Sequence, residues 1–216
     1  MKRISIMDVY GFFQRPFRKR RLGLFRQMIP ITPGTRILDV GGNPWFWNDL
    51  GVPSKVTLLN PEPFPEEVVR QYCNFDFVTA DGCRLPYADR SFDVGFSNSA
   101  IEHVGAYERQ RAFASEIRRV GRALWVQTPA REFPVEPHLM APFFQYLPPW
   151  LQRRTLRHLT IFGLLTKPGP PQVEQFLREV RLLRYREMRA LFPDCEIRRE
   201  RALGLTKSYV AIRNPL

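Results

Sequence analysis

Residues 36–47 read RILDVGGNPWFW, and the fold follows from this stretch. A short apolar run, Ile37, Leu38 and Val40, encloses an acid, Asp39, and ends in a glycine pair, Gly41 and Gly42. Pro44 then opens an aromatic segment. This is the form of a buried parallel strand that turns tightly into a helix. Glycines at such a turn let a ligand approach the main chain. The first residues of the following helix offer unpaired N–H groups.

Working outward, residues 55–59, 75–79, 91–96 and 123–127 read as further strands, with predicted helices near 44–50, 65–72 and 106–119. The strands end in polar residues: Asn60, Asp81 with Gly82, Ser97 with Asn98, and Thr128. Strands alternating with helices predict an α/β, doubly wound, mostly parallel sheet with helices on both faces. Right-handed crossovers then bring the polar ends along one crevice. Near the C-terminus, residues 173–192 read as one or two helices. Residues 195–201 and 208–212 alternate apolar and polar about a turn at Leu203-Gly204-Leu205, predicting a closing hairpin.

Two segments stand apart from this pattern. Residues 1–33 form an entry segment before the main domain, 34–216. Within it, residues 12–26 interleave arginines with phenylalanines and leucines. Such a helix suits an anionic membrane surface or nucleic acid, or a cap packing its phenylalanines onto the core. Residues 130–171 are rich in proline and carry Phe143, Phe144, Tyr146, Leu147 and Trp150. A stretch this long after a strand's C-terminal end is expected to be a lid over an acceptor site, or a helical cap burying its own aromatics.

The chain has 33 Lys+Arg against 21 Asp+Glu, a net charge of +12, which favours an anionic partner over a neutral one. Three widely spaced cysteines, Cys73, Cys83 and Cys195, provide neither a disulfide framework nor a zinc spacing. A reducing compartment is expected. The first residues carry no apolar signal region, and no run of eighteen apolar residues occurs. The expected location is the cytoplasm, with a membrane surface as one partner for the basic segment. Nothing in the sequence speaks to oligomeric state.

The glycine turn is not a phosphate site. Gly41-Gly42-Asn43-Pro44-Trp45 breaks the dinucleotide fingerprint, and a P-loop lysine is absent. Asn60, about twenty residues on, stands where a ribose sits in a doubly wound sheet. Asp81-Gly82 can read a base edge with a carboxylate and a backbone N–H. A nucleoside-bearing cofactor without a phosphate fits all three positions.

The blocks DVGGNPWFW, LLNPEP, TADGCRLPYADRSFDVGFSNSAIEHV and EIRRVGRALWVQTP resemble the successive motifs of class I S-adenosylmethionine-dependent methyltransferases. The block from Asp81 to Val104 is the most specific, and it is similar to the subgroup that includes ubiquinone-biosynthesis and many bacterial small-molecule methyltransferases. The resemblance spans roughly residues 35–130 and, more loosely, the final hairpin. It implies a Rossmann-like, seven-stranded sheet with the last strand antiparallel. It also implies that Asp39, Gly41 and Gly42 hold the methionine end of S-adenosylmethionine, Asn60 the ribose, and Asp81 with Gly82 the adenine. Ser97 would wall the sulfonium. Two positions depart from the family. Asn43 replaces a spaced glycine, which asparagine tolerates through its access to the left-handed conformation. Asn60 replaces an acid, a role Glu62 would take if the second strand ran further.

Methyl transfer needs alignment, and a base where the acceptor is a hydroxyl. His103, His138 and Glu136 follow the fourth and fifth strands and are the candidate catalytic residues. Ser99, Glu102 and His103 partly match a Glu-x-x-Glu-His metal pattern of related O-methyltransferases. The first Glu is missing, so no metal is assigned. The expected activity is methylation of a small or lipid-linked acceptor at oxygen. An RNA methyltransferase and a non-catalytic partner protein with this fold are the alternatives. Nucleic acid is the less favoured, since no RNA-binding module is recognisable.

Overall fold

The computed structural model describes residues 17, 20–51 and 55–214. They fall into two compact units. One comprises Ile31–Phe133 with the residues from Arg178 onward, and the other the residues up to Pro30 with Pro134–Leu177.

The first unit is built on a sheet. Its leading strands are β1 (Arg36–Val40), β2 (Lys55–Asn60), β3 (Asp76–Thr79), β4 (Phe92–Asn98) and β5 (Gly121–Pro129). Two short strands, β6 (Val135–Glu136) and β7 (Ala141–Pro142), belong to the other unit, and β8 (Glu196–Ala202) and β9 (Leu205–Arg213) return to the sheet. The order is β3-β2-β1-β4-β5-β9-β8. All neighbours pair in parallel except β9, which runs antiparallel to both β5 and β8. This is the seven-stranded sheet with a reversed last strand that the sequence motifs imply. Central strands β1, β4 and β5 are buried along nearly their whole length, which is why they read as continuous apolar runs. Edge strand β8 instead carries three Arg and two Glu among its seven residues, a composition that discourages further pairing.

Helices α2 (Pro44–Leu50), α3 (Glu66–Gln71), α4 (Tyr107–Val120) and α8 (Tyr185–Leu191) complete this unit. Gln110, Phe113, Ala114, Ile117 and Val120 form the buried stripe of α4. Its apolar members share a core with Leu38, Val40, Leu124 and Val126 of the sheet. Full burial of each such side chain is worth about 1.5–3 kcal/mol. Asn43 does not take the left-handed conformation. It is extended, with φ −139°, and its side chain caps α2 by accepting from Phe46 N. Pro44 sits in the first helical turn, where a missing N–H costs nothing.

The other unit contains α1 (residues 20–28), α5 (Pro149–Leu159), α6 (Ile161–Thr166) and most of α7 (Pro170–Glu179). Leu139, Ala141, Phe144, Leu156 and Val173 form its core. Of the aromatics expected there, Phe144 is buried, whereas Phe143, Tyr146 and Trp150 are exposed. Of the segment expected as residues 130–171, this unit takes in Pro134 onward. Ala130 N donates to Lys207 O and Arg131 N to Leu183 O, which keeps residues 130–131 with the sheet. Of the basic segment 12–26, residues 12–16 and 18–19 lie outside the described residues. In the described part Phe25 and Arg21 are buried, while Arg20 and Arg26 are exposed.

Candidate active site

The turn after β1 is shaped by a buried carboxylate. Asp39 is nearly inaccessible, and its Oδ2 accepts from the indole Nε1 of Trp47 in α2 at 2.7 Å. Its Oδ1 is buried and has no partner among the described residues. Burial pushes the carboxyl up to about 7, and the indole N–H offsets only part of that. Gly42 lies directly against this group: a β-carbon there would sit 1.9 Å from Asp39 Oδ2. Gly41 has φ +80°, and a β-carbon on it would fall 2.3 Å from Ala100 Cβ. Only glycine satisfies both positions, and the result is a stretch of uncovered main chain beside an unpaired buried oxygen.

The ends of β2 and β3 join this edge. Strand β2 stops at Asn60, so Asn60 and not Glu62 holds the strand-end position. Asn60 Nδ2 donates to Gly42 O at 2.8 Å, fixing the amide against the turn. Gly41 N donates to Leu59 O, and Ala80 N to Asn60 O, which carries the ladder on toward Asp81. Asp81 accepts from Cys83 N at 2.9 Å, and both its oxygens accept from Arg109 Nη2, at 3.1 and 3.0 Å. Partial desolvation raises this carboxyl, but the Cys83 N–H and Arg109 outweigh it and hold it below the usual carboxylate range. Gly82 has no room for a side chain: a β-carbon would lie 2.8 Å from Val40 Cγ1 and 2.9 Å from Phe113 Cε2.

Across the crevice, Ser97 is fully buried, and its hydroxyl donates to Val40 O at 2.9 Å. It ties the end of β4 to the end of β1. Ser99, just beyond β4, has φ +57°. Its N–H donates to Gln127 O and its hydroxyl to Gln127 Oε1, both at 2.9 Å. A serine held in the left-handed region costs energy that its surroundings must supply, and such residues gather at functional sites. His103 is exposed at the end of the short 3-10 turn Ile101–His103, next to the fully buried Glu102. Glu102 Oε2 accepts from Thr128 Oγ1 at 2.9 Å, and Glu102 O accepts from Arg181 N.

The other two catalytic candidates meet in the second unit. His138 Nδ1 lies 2.7 Å from Glu136 Oε1, and Leu139 N donates to Glu136 Oε2 at 2.6 Å. Glu136 is buried and His138 half-buried. In the tautomer with the proton on Nδ1 the ring donates to Glu136, and Nε2 is its acceptor nitrogen.

Sequence reasoning missed the roles of Trp47 and Arg109, and named Ser99 only as the first position of a partial metal pattern. Trp47 stands eight residues beyond Asp39, across the glycine turn, and was legible only as part of an aromatic segment. Arg109 meets Asp81 across 28 residues, a separation that no periodicity reports.

Residues 40–123 match the family model described as a methyltransferase domain. An uncharacterised methyltransferase of Mycobacterium avium is 35% identical over 94 residues, covering 41% of this chain and 36% of its own. The chain thus spans about a third of the length of the curated relatives it matches. Among solved structures, a SAM-dependent methyltransferase from Aquifex aeolicus superposes with a TM-score of 0.50 at 15% identity, over 90% of this chain and 87% of that one. Phosphoethanolamine N-methyltransferase 2 of Haemonchus contortus, in complex with S-adenosyl-L-methionine, gives 0.54 at 15% identity, over 84% of this chain and 38% of that one. The fold is the Rossmann-like fold of such methyltransferases.

Proposed function

We propose that this chain, whose residues 40–123 carry a methyltransferase domain, transfers the methyl group of S-adenosylmethionine to an oxygen of a small or lipid-linked acceptor. The observation that carries this is the polar edge of the sheet: Asp39, Asn60 and Asp81 end three adjacent strands around a turn stripped of side chains. Asp39 Oδ1, buried and unpaired, suits an ammonium, and the bared Gly41-Gly42 backbone leaves room for the methionine end. Asn60 is assigned to the ribose hydroxyls, and Asp81 with Gly82 to the adenine edge. Ser97 acts by holding the ends of β1 and β4 together.

The donor, when bound, supplies an activated methyl group for in-line displacement, so the chain's own task is alignment and proton removal. His138 serves as the base that takes the acceptor hydroxyl's proton at Nε2. Glu136 is a positioning residue: it holds the ring through Nδ1 and is itself held by Leu139 N. His103, just beyond β4, is assigned to acceptor contact.

Isothermal titration with S-adenosylmethionine and with its demethylated product tests this directly. Saturable binding of both is expected. A folded chain that binds neither would be a partner protein with this fold and no donor site.

A further inference from the structure

The helical corner formed by α5 and α6 is built against itself and faces outward. Thr160 Oγ1 donates to Leu156 O at 2.7 Å and accepts from Gly163 N at 2.8 Å, so one side chain ends α5 and caps α6. Gly163 is pressed against α5: a β-carbon there would lie 2.0 Å from Leu156 O. This close approach fixes the corner. Leu156 faces inward and is fully buried. Leu159, Ile161, Leu164 and Leu165 are instead between 41% and 71% exposed. Ile161, Leu164 and Leu165 fall on one side of α6 and, on a braced corner, form an apolar patch that water does not explain.

The charge that flanks this patch along the chain is of one sign only. Residues 149–171 contain no Asp or Glu, but hold Arg153, Arg154, Arg157 and Lys167. Arg153 is paired with Glu174, whereas Arg154 and Arg157 are exposed and form no ion pair among the described residues. At 100° per residue, Arg153, Arg154 and Arg157 fall on one side of α5 together with the exposed Trp150. Among the described residues no helix is long and apolar enough to cross a membrane.

We propose that the α5–α6 corner docks this protein on an anionic lipid bilayer, with Ile161, Leu164 and Leu165 of α6 entering the acyl boundary and Arg154, Arg157 and Lys167 at the headgroups. An anionic bilayer supplies both halves of what the surface presents, hydrocarbon for the leucines and negative charge for the arginines. Tryptophan is favoured at that same depth. Nucleic acid supplies only the charge, since aliphatic side chains have no ring face on which bases stack. This docking rests on the surface of α5 and α6 alone and is independent of the methyl-transfer chemistry.

Co-sedimentation of the full chain with vesicles tests it. Vesicles of phosphatidylcholine with about one third phosphatidylglycerol are expected to bind the chain at least about tenfold more tightly than pure phosphatidylcholine. The pairs Leu164→Glu/Leu165→Glu and Arg154→Glu/Arg157→Glu, with unchanged melting, are each expected to lose about tenfold. Lipids brominated on their acyl chains should quench the wild-type fluorescence, and Trp150→Phe should remove most of that quenching. A wild-type chain that stays in the supernatant overturns the proposal. So do vesicle binding that survives the leucine pair, and displacement of the chain from vesicles by an RNA whose own binding is lost in that same pair.

Discussion

The indole N–H of Trp47 donates to one oxygen of Asp39, and the other oxygen of that carboxylate, buried at the turn after β1, has no partner among the described residues. Trp47 therefore orients the acid without satisfying it. Burial raises the carboxyl to about 7, so near neutrality Asp39 divides between its two forms.

Two consequences of pH follow, and their signs are fixed. A cationic donor end binds the ionised carboxylate, so affinity for S-adenosylmethionine should fall as pH drops below about 7, by up to about tenfold per pH unit. Stability moves the other way. The unfolded chain ionises Asp39 in the ordinary acid range and the folded chain only near 7, so this group costs stability as pH rises between the two, at most about 4 kcal/mol. Asp39→Asn should flatten both trends. Titration calorimetry and thermal melts across pH measure them, and an affinity of wild type that is level from pH 6 to 7.5 would remove Asp39 from the donor site.

Gly42→Ala would drive a methyl group into the Asp39 carboxylate, 1.9 Å away. A loss of about 1–3 kcal/mol is expected from overpacking, together with weakened donor binding. Gly34→Ala is the control, since nothing lies within 4 Å of the added carbon. It should change stability by less than about 1 kcal/mol. Chemical denaturation of the two variants side by side distinguishes a site effect from a general intolerance of substitution.

Asp81 and Arg109 are both about half exposed, so their ion pair adds at most about 1 kcal/mol to stability. Its value lies in orientation. Asp81→Ala should cost donor affinity about tenfold or more, and Arg109→Ala a smaller factor. In the double variant the losses should fall short of additive, because Arg109 acts through Asp81. Full additivity in a double-mutant cycle would mean that Arg109 meets the donor itself.

His138→Ala should lower turnover by about 10²–10⁴-fold with donor affinity unchanged, as expected for removal of a general base. Glu136→Gln keeps an acceptor for Leu139 N and should cost less, while shifting the pH dependence of turnover. Single-turnover assays on both variants measure this. A His138→Ala enzyme with wild-type rate and pH profile would leave His103 as the remaining candidate.

The strands were legible because each is a short apolar run closed by a polar residue or glycine, a local signal that burial on two faces imposes. The run 36–40, its glycine pair and the alternation downstream place Asp39, Asn60, Asp81 and Ser97 at successive strand ends, as the sheet bears out. The Leu203-Gly204 turn was legible as well; both residues have positive φ, which matches the twist of a two-residue hairpin. The helical corner was harder to read. Its exposed leucines look in sequence like any apolar helix, and only burial distinguishes an inward Leu156 from an outward Leu164.

Residues close together along the chain were enough to give the succession of strands and the polar residues at their ends. The order of strands in the sheet, and what those end residues do, depend on packing. Asp39 is held through one oxygen because α2 brings Trp47 to it, while its other oxygen has no partner among the described residues, and Ser97 is committed to Val40 across 57 residues. Asp81 is held by an arginine 28 residues away. Burial, hydrogen bonding and proton affinity are set by distances in space, and those distances come into being only when the strands and helices pack.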